Sequence, residues 1–211
     1  MSEVKRSYDA SRRREQAAAR RHAVVEAALD LFEHNGFRST SIAAIARHAG
    51  VSAESIYKVF GTKATLAKAV FDFVIAGDHE DATIADRPSA AAVAVEPDVR
   101  RKIEIYVQGL ARRQQRSAKV QILIRDGRLI DDALDVVWCQ LLHERLTGMT
   151  MLGRHLLDTG QLRVGIELDE VRDVLWTYVA VELYELLVLD RGWSLERYAD
   201  WIAHAITTAL T

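Results

Sequence analysis

The clearest pattern of hydrophobic and polar positions lies in the first third of the chain. Apolar residues recur at helical spacing over 42–49 and again over 56–60, which predicts two short helices. Gly50 follows the first stripe, where a left-handed residue commonly ends a helix. Gly61-Thr62 ends the second stripe, and a third helix continues through Val74. Two short helices joined by a tight turn and followed at once by a third are typical of a helix-turn-helix.

Polar residues stand at the predicted starts of these helices. Thr40 or Ser41 can cap the amides of the first helix, and Ser52 can cap those of the second. Ile56 and Phe60 are four residues apart and therefore face inward together. Another face of the second helix is then exposed, and it carries Ala53, Glu54, Tyr57 and Lys58.

Lys63 lies in the first turn of the third helix, where the helix dipole disfavours a cation. One interpretation is a phosphate clamp, because an ammonium beside free helix amides attracts a phosphate. The other is a flexible surface lysine that tolerates the dipole.

The rest of the pattern predicts further helices and one linker. The helices cover about 15–35, 99–115, 117–125, 131–158 and 169–190, with Asp169 capping the last of these and Ser194 capping a final one. Both prolines lie in the segment from Gly77 to Pro97, which predicts a loop with room for a frayed helical turn. We therefore expect an all-α chain with a helix-turn-helix DNA-binding domain (1–76), a linker (77–97) and a larger helical domain (98–211).

The charge is unevenly distributed. The net charge is −2, but residues 1–63 hold 11 Lys and Arg against 7 Asp and Glu, so the excess there is +4. The basic part is the part with the helix-turn-helix, as electrostatic steering to DNA requires. A basic arm either solubilises the chain or follows the minor groove and flanking phosphates, and it consists of Lys5, Arg6, Arg12, Arg13 and Arg14.

The stretch LFEHNGFRSTSIAAIARHAGVSAESIYKVFGTKATLAKAV resembles the TetR family of one-component bacterial repressors. The likeness runs from about Val24 to Val70 and depends on the spacing of Gly36, Gly50-Val51-Ser52, Ile56-Tyr57, Phe60 and Lys63. It implies a homodimer whose two DNA-binding domains bind a palindromic operator. It also implies that the remaining helices bind an effector, which releases the DNA.

The resemblance also implies site residues. Ser41, Tyr57 and Lys63 correspond to phosphate contacts, and Ser52 belongs to the same expected DNA-binding set. Ala53, Glu54 and Lys58 correspond to positions that face base edges or the nearby backbone. Ala43 stands where some members place a polar base reader, and an alanine there offers only a methyl contact, for example with thymine.

Two groups of residues in the C-terminal half are candidates for ligand and partner contacts. Bulky or polar-tipped side chains suit a flat or greasy organic effector, although the same stripe also suits a plain core: Trp138, His143, Met149, Trp176 and Tyr178. Glu182 and Glu185 could instead neutralise a cationic ligand. The last long helices are more apolar than one small core needs, which predicts a dimer interface with Leu183, Leu186, Leu187 and Trp201.

An enzyme is the least favoured class. Cys139 and His143 are four residues apart and could form a thiolate–imidazole pair or half a metal site, with His155 nearby, but no second pair has matching spacing. We expect no catalytic residue, metal or cofactor. The single cysteine, the polar start and the short apolar runs predict a cytoplasmic protein without a membrane span. Two classes stay open: a ligand-controlled repressor, and a DNA-binding dimer whose C-terminal domain is purely structural.

Overall fold

A computed structural model of the chain describes the backbone of residues 3–76 and 88–211, and the side chains of all of these except 3–11, 13, 88 and 89. Helices make up the regular structure of this part and no strand occurs in it, which confirms the all-α prediction. The helices are α1 (Glu3–Ser39), α2 (Ile42–Ala49), α3 (Ala53–Phe60), α4 (Lys63–Ala76), α5 (Pro88–Val95), α6 (Val99–Gly127), α7 (Asp132–Leu157), α8 (Leu168–Tyr178), α9 (Val181–Tyr184), a π-helical segment (Glu185–Asp190) and α10 (Leu195–Leu210).

The chain divides into two compact units. The first unit comprises Met1–Phe73 and Leu123–Val137, and the second comprises Val74–Ile122 and Trp138–Thr211. The divisions fall inside α4, α6 and α7. The domain bounds expected from the sequence stay predictions, but the turn between α6 and α7, which they place in the C-terminal domain, groups with the first unit.

Helix α1 is longer than the pattern predicts. It begins at Glu3 instead of Glu15 and extends to Ser39, with a kink at Gly36 where φ is 74° and ψ is 170°. Arginine, alanine, glutamate and glutamine predominate over 12–21, and these residues favour helix even without an apolar stripe. The basic arm is therefore helical in its backbone and not a tail, with Arg12 and Arg14 exposed; the side chains of Lys5, Arg6 and Arg13 lie outside the described residues.

The second unit corrects two predicted boundaries. Helix α6 is continuous through Ser117, whose Oγ donates to the carbonyl of Arg113 within the helix and does not cap a new one. The helix predicted over 169–190 begins after Glu167 and breaks at Ala180, whose backbone is extended. Gln114, which is buried, donates from Nε2 to the carbonyl of Val179 over 3.0 Å and so satisfies a group that the break releases.

The predicted linker contains a helix. Helix α5 begins at Pro88, a residue suited to a first helical turn, and ends at Val95. The buried Nζ of Lys102 donates to the carbonyl of Val93 over 2.7 Å and lies 2.9 Å from Nε2 of His155. The end of α5 is thereby attached to α6 and α7. Residues 77–87, the first part of the predicted loop, lie outside the described residues.

No helix within residues 3–76 and 88–211 is both long enough and apolar enough to cross a membrane.

Two helical glycines provide a test of the packing. Gly127→Ala should lower the free energy of unfolding by about 1–3 kcal/mol, because the added Cβ would overlap Cδ1 of the fully buried Leu134. Gly148→Ala is the matched control: no atom lies within 4 Å of its added Cβ, so we expect a gain of about 0.5–1 kcal/mol from helix propensity. Urea unfolding followed by circular dichroism measures both. Equal effects of the two substitutions would contradict this packing.

Candidate nucleic-acid interface and ligand site

The turn between α2 and α3 has the local structure that its sequence predicts. Gly50 adopts the left-handed conformation (φ 67°, ψ 32°). The Oγ of Ser41 accepts a hydrogen bond from the amide of Ala44 over 3.1 Å, and the Oγ of Ser52 accepts one from the amide of Ser55 over 3.2 Å. Both caps are confirmed, and they define where each helix of the motif begins.

Helix α3 has one buried and one exposed face. Ile56 is fully buried, whereas Tyr57 is 54% exposed and Val59 is 57% exposed. Glu54 and Lys58 are also exposed, and Ala53 is half-buried. Ser41, Ala43 and Ser52 are exposed nearby in the sequence. These residues, which are expected to face DNA, are therefore accessible. The exposed face of α3 carries both polar and apolar side chains that can contact a groove of DNA.

Lys63 is engaged inside the protein. Its Nζ donates to the carbonyl of Phe37 over 2.7 Å and to the carbonyl of Thr40 over 2.9 Å. The same ammonium lies 4.1 Å from the ring centroid of Phe37, within the range of a cation–π contact. This corrects the interpretation of Lys63 as a flexible surface lysine, because the side chain joins the start of α4 to the end of α1.

Partial burial of the charged Lys63 side chain has an energetic cost. Partial burial lowers the pKa of its ammonium, and the carboxylate of Asp131 opposes that shift. Thr40, which is buried, adds a second connection, because its single hydroxyl proton is shared between the carbonyls of Leu31 and Gly36, which lie 3.0 and 2.8 Å from Oγ1. Thr40 is thus not the cap of α2, and together with Lys63 it satisfies the carbonyls around the kink in α1.

Two of the residues expected to bind an effector, Trp138 and Trp176, lie near the same arginine. The guanidinium of Arg145 lies 4.8 Å from the ring centroid of Trp176 and 6.0 Å from that of Trp138. Met149 accepts a weak hydrogen bond from the hydroxyl of Tyr106, with Oη and Sδ 3.7 Å apart. Trp138 and Met149 are buried, and Trp176 is half-buried.

The other two candidates lie elsewhere. His143 is exposed, and the ring of Tyr178 packs edge-on against Trp201 at 6.2 Å. Trp201 also packs against Trp193 at 6.1 Å. These contacts place Tyr178 beside Trp201, the one aromatic residue that the sequence predicts at a dimer interface.

The sequence interpretation missed the polar partners of the aromatic residues. Arg145 follows Trp138 by seven residues on α7, and Arg113 follows Tyr106 by seven residues on α6, so each pair shares a helix face. That spacing is the signal that could have identified both arginines. Burial raises the pKa of Tyr106, and Arg113 opposes it; burial lowers the pKa of Arg145, and Glu182 opposes it.

Tyr198 is a second missed residue. Its side chain is fully buried, and its ring packs edge-on against Tyr184 at 5.2 Å. Among the residues that the structure describes, its Oη is the buried side-chain atom that lacks a hydrogen-bond partner. Burial raises the pKa of this hydroxyl, and the neighbouring Tyr184 and Tyr106 add to the effect, so the group stays protonated.

The residues expected at a dimer interface differ in exposure. Leu186 is 52% exposed and Trp201 is 41% exposed, with Leu189 also exposed. Leu183 is half-buried, and Leu187 is buried within its own chain. Leu187 therefore contributes mainly to the core of the second unit.

The cysteine and histidine of the enzyme alternative do not form an enclosed site. Cys139 and His143 are both exposed on α7. Across the described part of the chain, no three His, Cys, Asp or Glu side chains form a group that could hold a metal ion.

The helix-turn-helix region is similar to a known protein family. Residues 24–70 match the family model described as bacterial regulatory proteins, tetR family. This part of the chain is therefore a DNA-binding domain of the TetR type. The match includes both caps, Gly50, the exposed face of α3 and Lys63.

Solved structures of similar fold cover nearly the whole chain. A protein from Rhodococcus sp., described as a TetR-family transcriptional regulator, is 16% identical with a TM-score of 0.71, covering 92% of this chain and 99% of its own. The regulator FadR from Bacillus subtilis, solved with stearoyl-CoA, is 14% identical (TM-score 0.70; 90% and 99% covered). NalD from Pseudomonas aeruginosa, the secondary repressor of the MexAB-OprM multidrug efflux pump, is 18% identical (TM-score 0.68; 93% and 98% covered). At these identities the likeness establishes the TetR fold. Comparison with curated proteins finds no match.

The hydrogen bonds of Lys63 should contribute to the stability of the DNA-binding domain. Lys63→Met should lower the free energy of unfolding by about 1–2 kcal/mol, because two carbonyls at the end of α1 lose a charged donor. Lys58→Met, on the exposed face of α3, should change it by less than about 0.5 kcal/mol. Urea unfolding followed by circular dichroism measures both variants. An unchanged unfolding midpoint for Lys63→Met would contradict a stabilising role for the two hydrogen bonds of Lys63.

Proposed function

We propose that the chain is a transcriptional repressor that binds a specific DNA sequence and is released from it by a small organic molecule. The observation that carries this proposal is the exposed face of α3, presented by a capped turn within the residues that match the TetR family model. A helix held in this way can enter the major groove of DNA.

The DNA contacts divide into two kinds. Ser41, Ser52 and Tyr57 offer exposed hydroxyl groups for phosphates, and Lys63 retains the third of its three N–H donors beyond the two used on carbonyls. These contacts position the protein without selecting a base sequence. Selection falls to four residues on the two helices, the exposed Ala43, Glu54 and Lys58 and the half-buried Ala53.

A homodimer on a palindromic operator fits the exposed apolar surface of the second unit. Leu186, Leu189 and Trp201 are large hydrophobic side chains left exposed in the single chain, close to the aromatic contacts of Tyr178 and Trp193. A second copy would cover them, and a two-fold axis would present two DNA-binding domains to two half-sites. The cytoplasm, where DNA is accessible, is the expected location.

Effector control is supported by the interior of the second unit and by the relatives. The interior combines indole rings with arginines instead of uniform aliphatic packing. Of the similar structures, FadR was solved with stearoyl-CoA and NalD is a repressor. We propose a small hydrophobic or aromatic effector bound among Trp138, Met149 and Trp176.

Selection of bound DNA from a random pool, at two salt concentrations, is the first test. We expect an enriched palindrome whose half-sites lie about one helical turn apart.

Tyr57→Phe should weaken binding about threefold to tenfold on all sequences, because one phosphate hydrogen bond is lost. Lys63→Met should flatten the dependence of log affinity on log salt by about one unit.

Variants on the other helix positions separate base contacts from phosphate contacts. Glu54→Gln and Lys58→Met should change the selected sequence more than the overall affinity. A fall in affinity with an unchanged selected sequence would contradict their assignment to bases. Binding without any enriched sequence would leave a nonspecific DNA-binding protein.

The selected operator then tests the role of the second unit. Cell extract fractions that release the protein from labelled operator in a fluorescence anisotropy assay would support effector control. Retention on the operator with every fraction would favour a dimer whose C-terminal domain is purely structural.

A further inference from the structure

The interior of the second unit contains a polar group that packing alone does not explain. Tyr106 and Arg113 from α6, Arg145 from α7 and Tyr198 from α10 form this group, which we term the arginine–tyrosine cluster. The guanidinium of Arg113 lies 5.6 Å from the ring centroid of Tyr106, and Arg145 and Tyr198 each interact electrostatically with the same tyrosine. Arg113 thus contacts the ring of Tyr106 directly, whereas Arg145 and Tyr198 are linked to it electrostatically.

The aromatic rings beside the cluster are already occupied by a cation of the protein. Arg145 stacks on Trp176 and lies over Trp138, so it takes the place that a cationic ligand would need against these rings. Such a ligand would also meet the guanidinium groups of Arg113 and Arg145, the second of which interacts electrostatically with Glu182. This arrangement does not favour the cationic ligand that the glutamates of this region suggested from the sequence.

Tyr198 supplies a hydrogen-bond donor with no acceptor. Its Oη is buried and unpartnered among the described residues, which costs stability in the unliganded protein. The hydroxyl of Tyr106 donates only to a thioether, which is a weak acceptor. Two protonated phenols and two guanidiniums thus offer several donors, whereas acceptors among them are few.

We propose that the arginine–tyrosine cluster binds the carboxylate of an organic anion, whose flat apolar body packs beside Trp138 and Trp176. Guanidinium groups match a carboxylate geometrically and form the strong, charge-assisted hydrogen bonds. The hydroxyl of Tyr198 donates to the same carboxylate and thereby gains its missing partner. This inference rests on the proposed function, since it names the chemical class of the effector.

A matched panel tests the class directly. Benzoate, 2-naphthoate and 4-phenylbutyrate are each compared with the corresponding primary amide and ammonium compound, and binding to the full-length protein is measured by ligand-observed NMR and calorimetry. We expect carboxylates to bind at least about tenfold more tightly than their matched amides, and the ammonium compounds to bind least. Equal binding of the three series, preference for the ammonium series, or binding of none would overturn the proposal.

Tyr198→Phe separates a ligand contact from a packing defect. The substitution removes only the unpartnered hydroxyl, so the unliganded protein should unfold at a higher temperature. In the same variant, binding of the preferred carboxylate should weaken about tenfold. A higher unfolding temperature with unchanged carboxylate binding would show that Tyr198 has no ligand role and would count against the cluster as the site.

Arginine variants test the charge. Arg145→Gln should abolish the preference for carboxylate over amide, and Arg112→Gln is the control, because Arg112 carries the same charge on α6 but is exposed. Circular dichroism confirms that each variant is folded before binding is measured. If carboxylates bind through Arg145 but leave the operator complex intact, the site stands and effector control fails; if operator release occurs without carboxylate preference, the proposed function stands and the anion site fails.

Discussion

The geometry of the DNA-binding unit depends on how the end of α1 is closed. Gly36 bends this helix, and the bend leaves carbonyls that continue no regular ladder. Thr40 and Lys63 satisfy these carbonyls from two directions, the first from just beyond α1 and the second from the start of α4, 26 residues after Phe37. Helices α2 and α3 lie between Thr40 and Lys63 in the chain. The hydrogen bonds of Lys63 therefore limit how far the helix-turn-helix can move relative to the end of α1. A partly buried cation at a helix N-terminus is unfavourable by itself, and the two carbonyls and the ring of Phe37 offset that cost.

The same device recurs at other helix ends of the chain. Lys102 donates to carbonyls at the end of α5, Arg116 donates from Nε to Val74 near the end of α4, and Gln114 donates to Val179 after α8. Each donor is a long side chain from a helix other than the one it closes. Cationic donors also suit the negative end of a helix dipole. Helices α5 and α8 therefore end without a glycine, at places where a polar side chain of another helix reaches carbonyls at or just after their ends.

The second unit combines a conventional apolar core with polar groups that a core would exclude. Leu175, Ile202 and Ile206 are fully buried in the ordinary way. Arg145 and Tyr198 instead place a charge and an unpaired hydroxyl among aromatic rings, at a cost in free energy that apolar residues of similar size would avoid. The anion site proposed above would give a physical reason for keeping them, because a bound carboxylate would supply the hydroxyl of Tyr198 with an acceptor.

The sequence by itself determined what depends on neighbours within one helical turn. The all-α class, the caps at Ser41 and Ser52, the left-handed Gly50 and the exposed face of α3 all follow from i, i+3 and i+4 relations, which a pattern of residue types records directly. Tertiary structure alone decided the engagement of Lys63, the break after α8 and the partial burial of Arg145. In each of these the deciding partner lies on another element, as with Gln114 and Val179, 65 residues apart. A periodic stripe predicts which face of a helix turns inward, but the groups that meet it there are set only when distant helices pack.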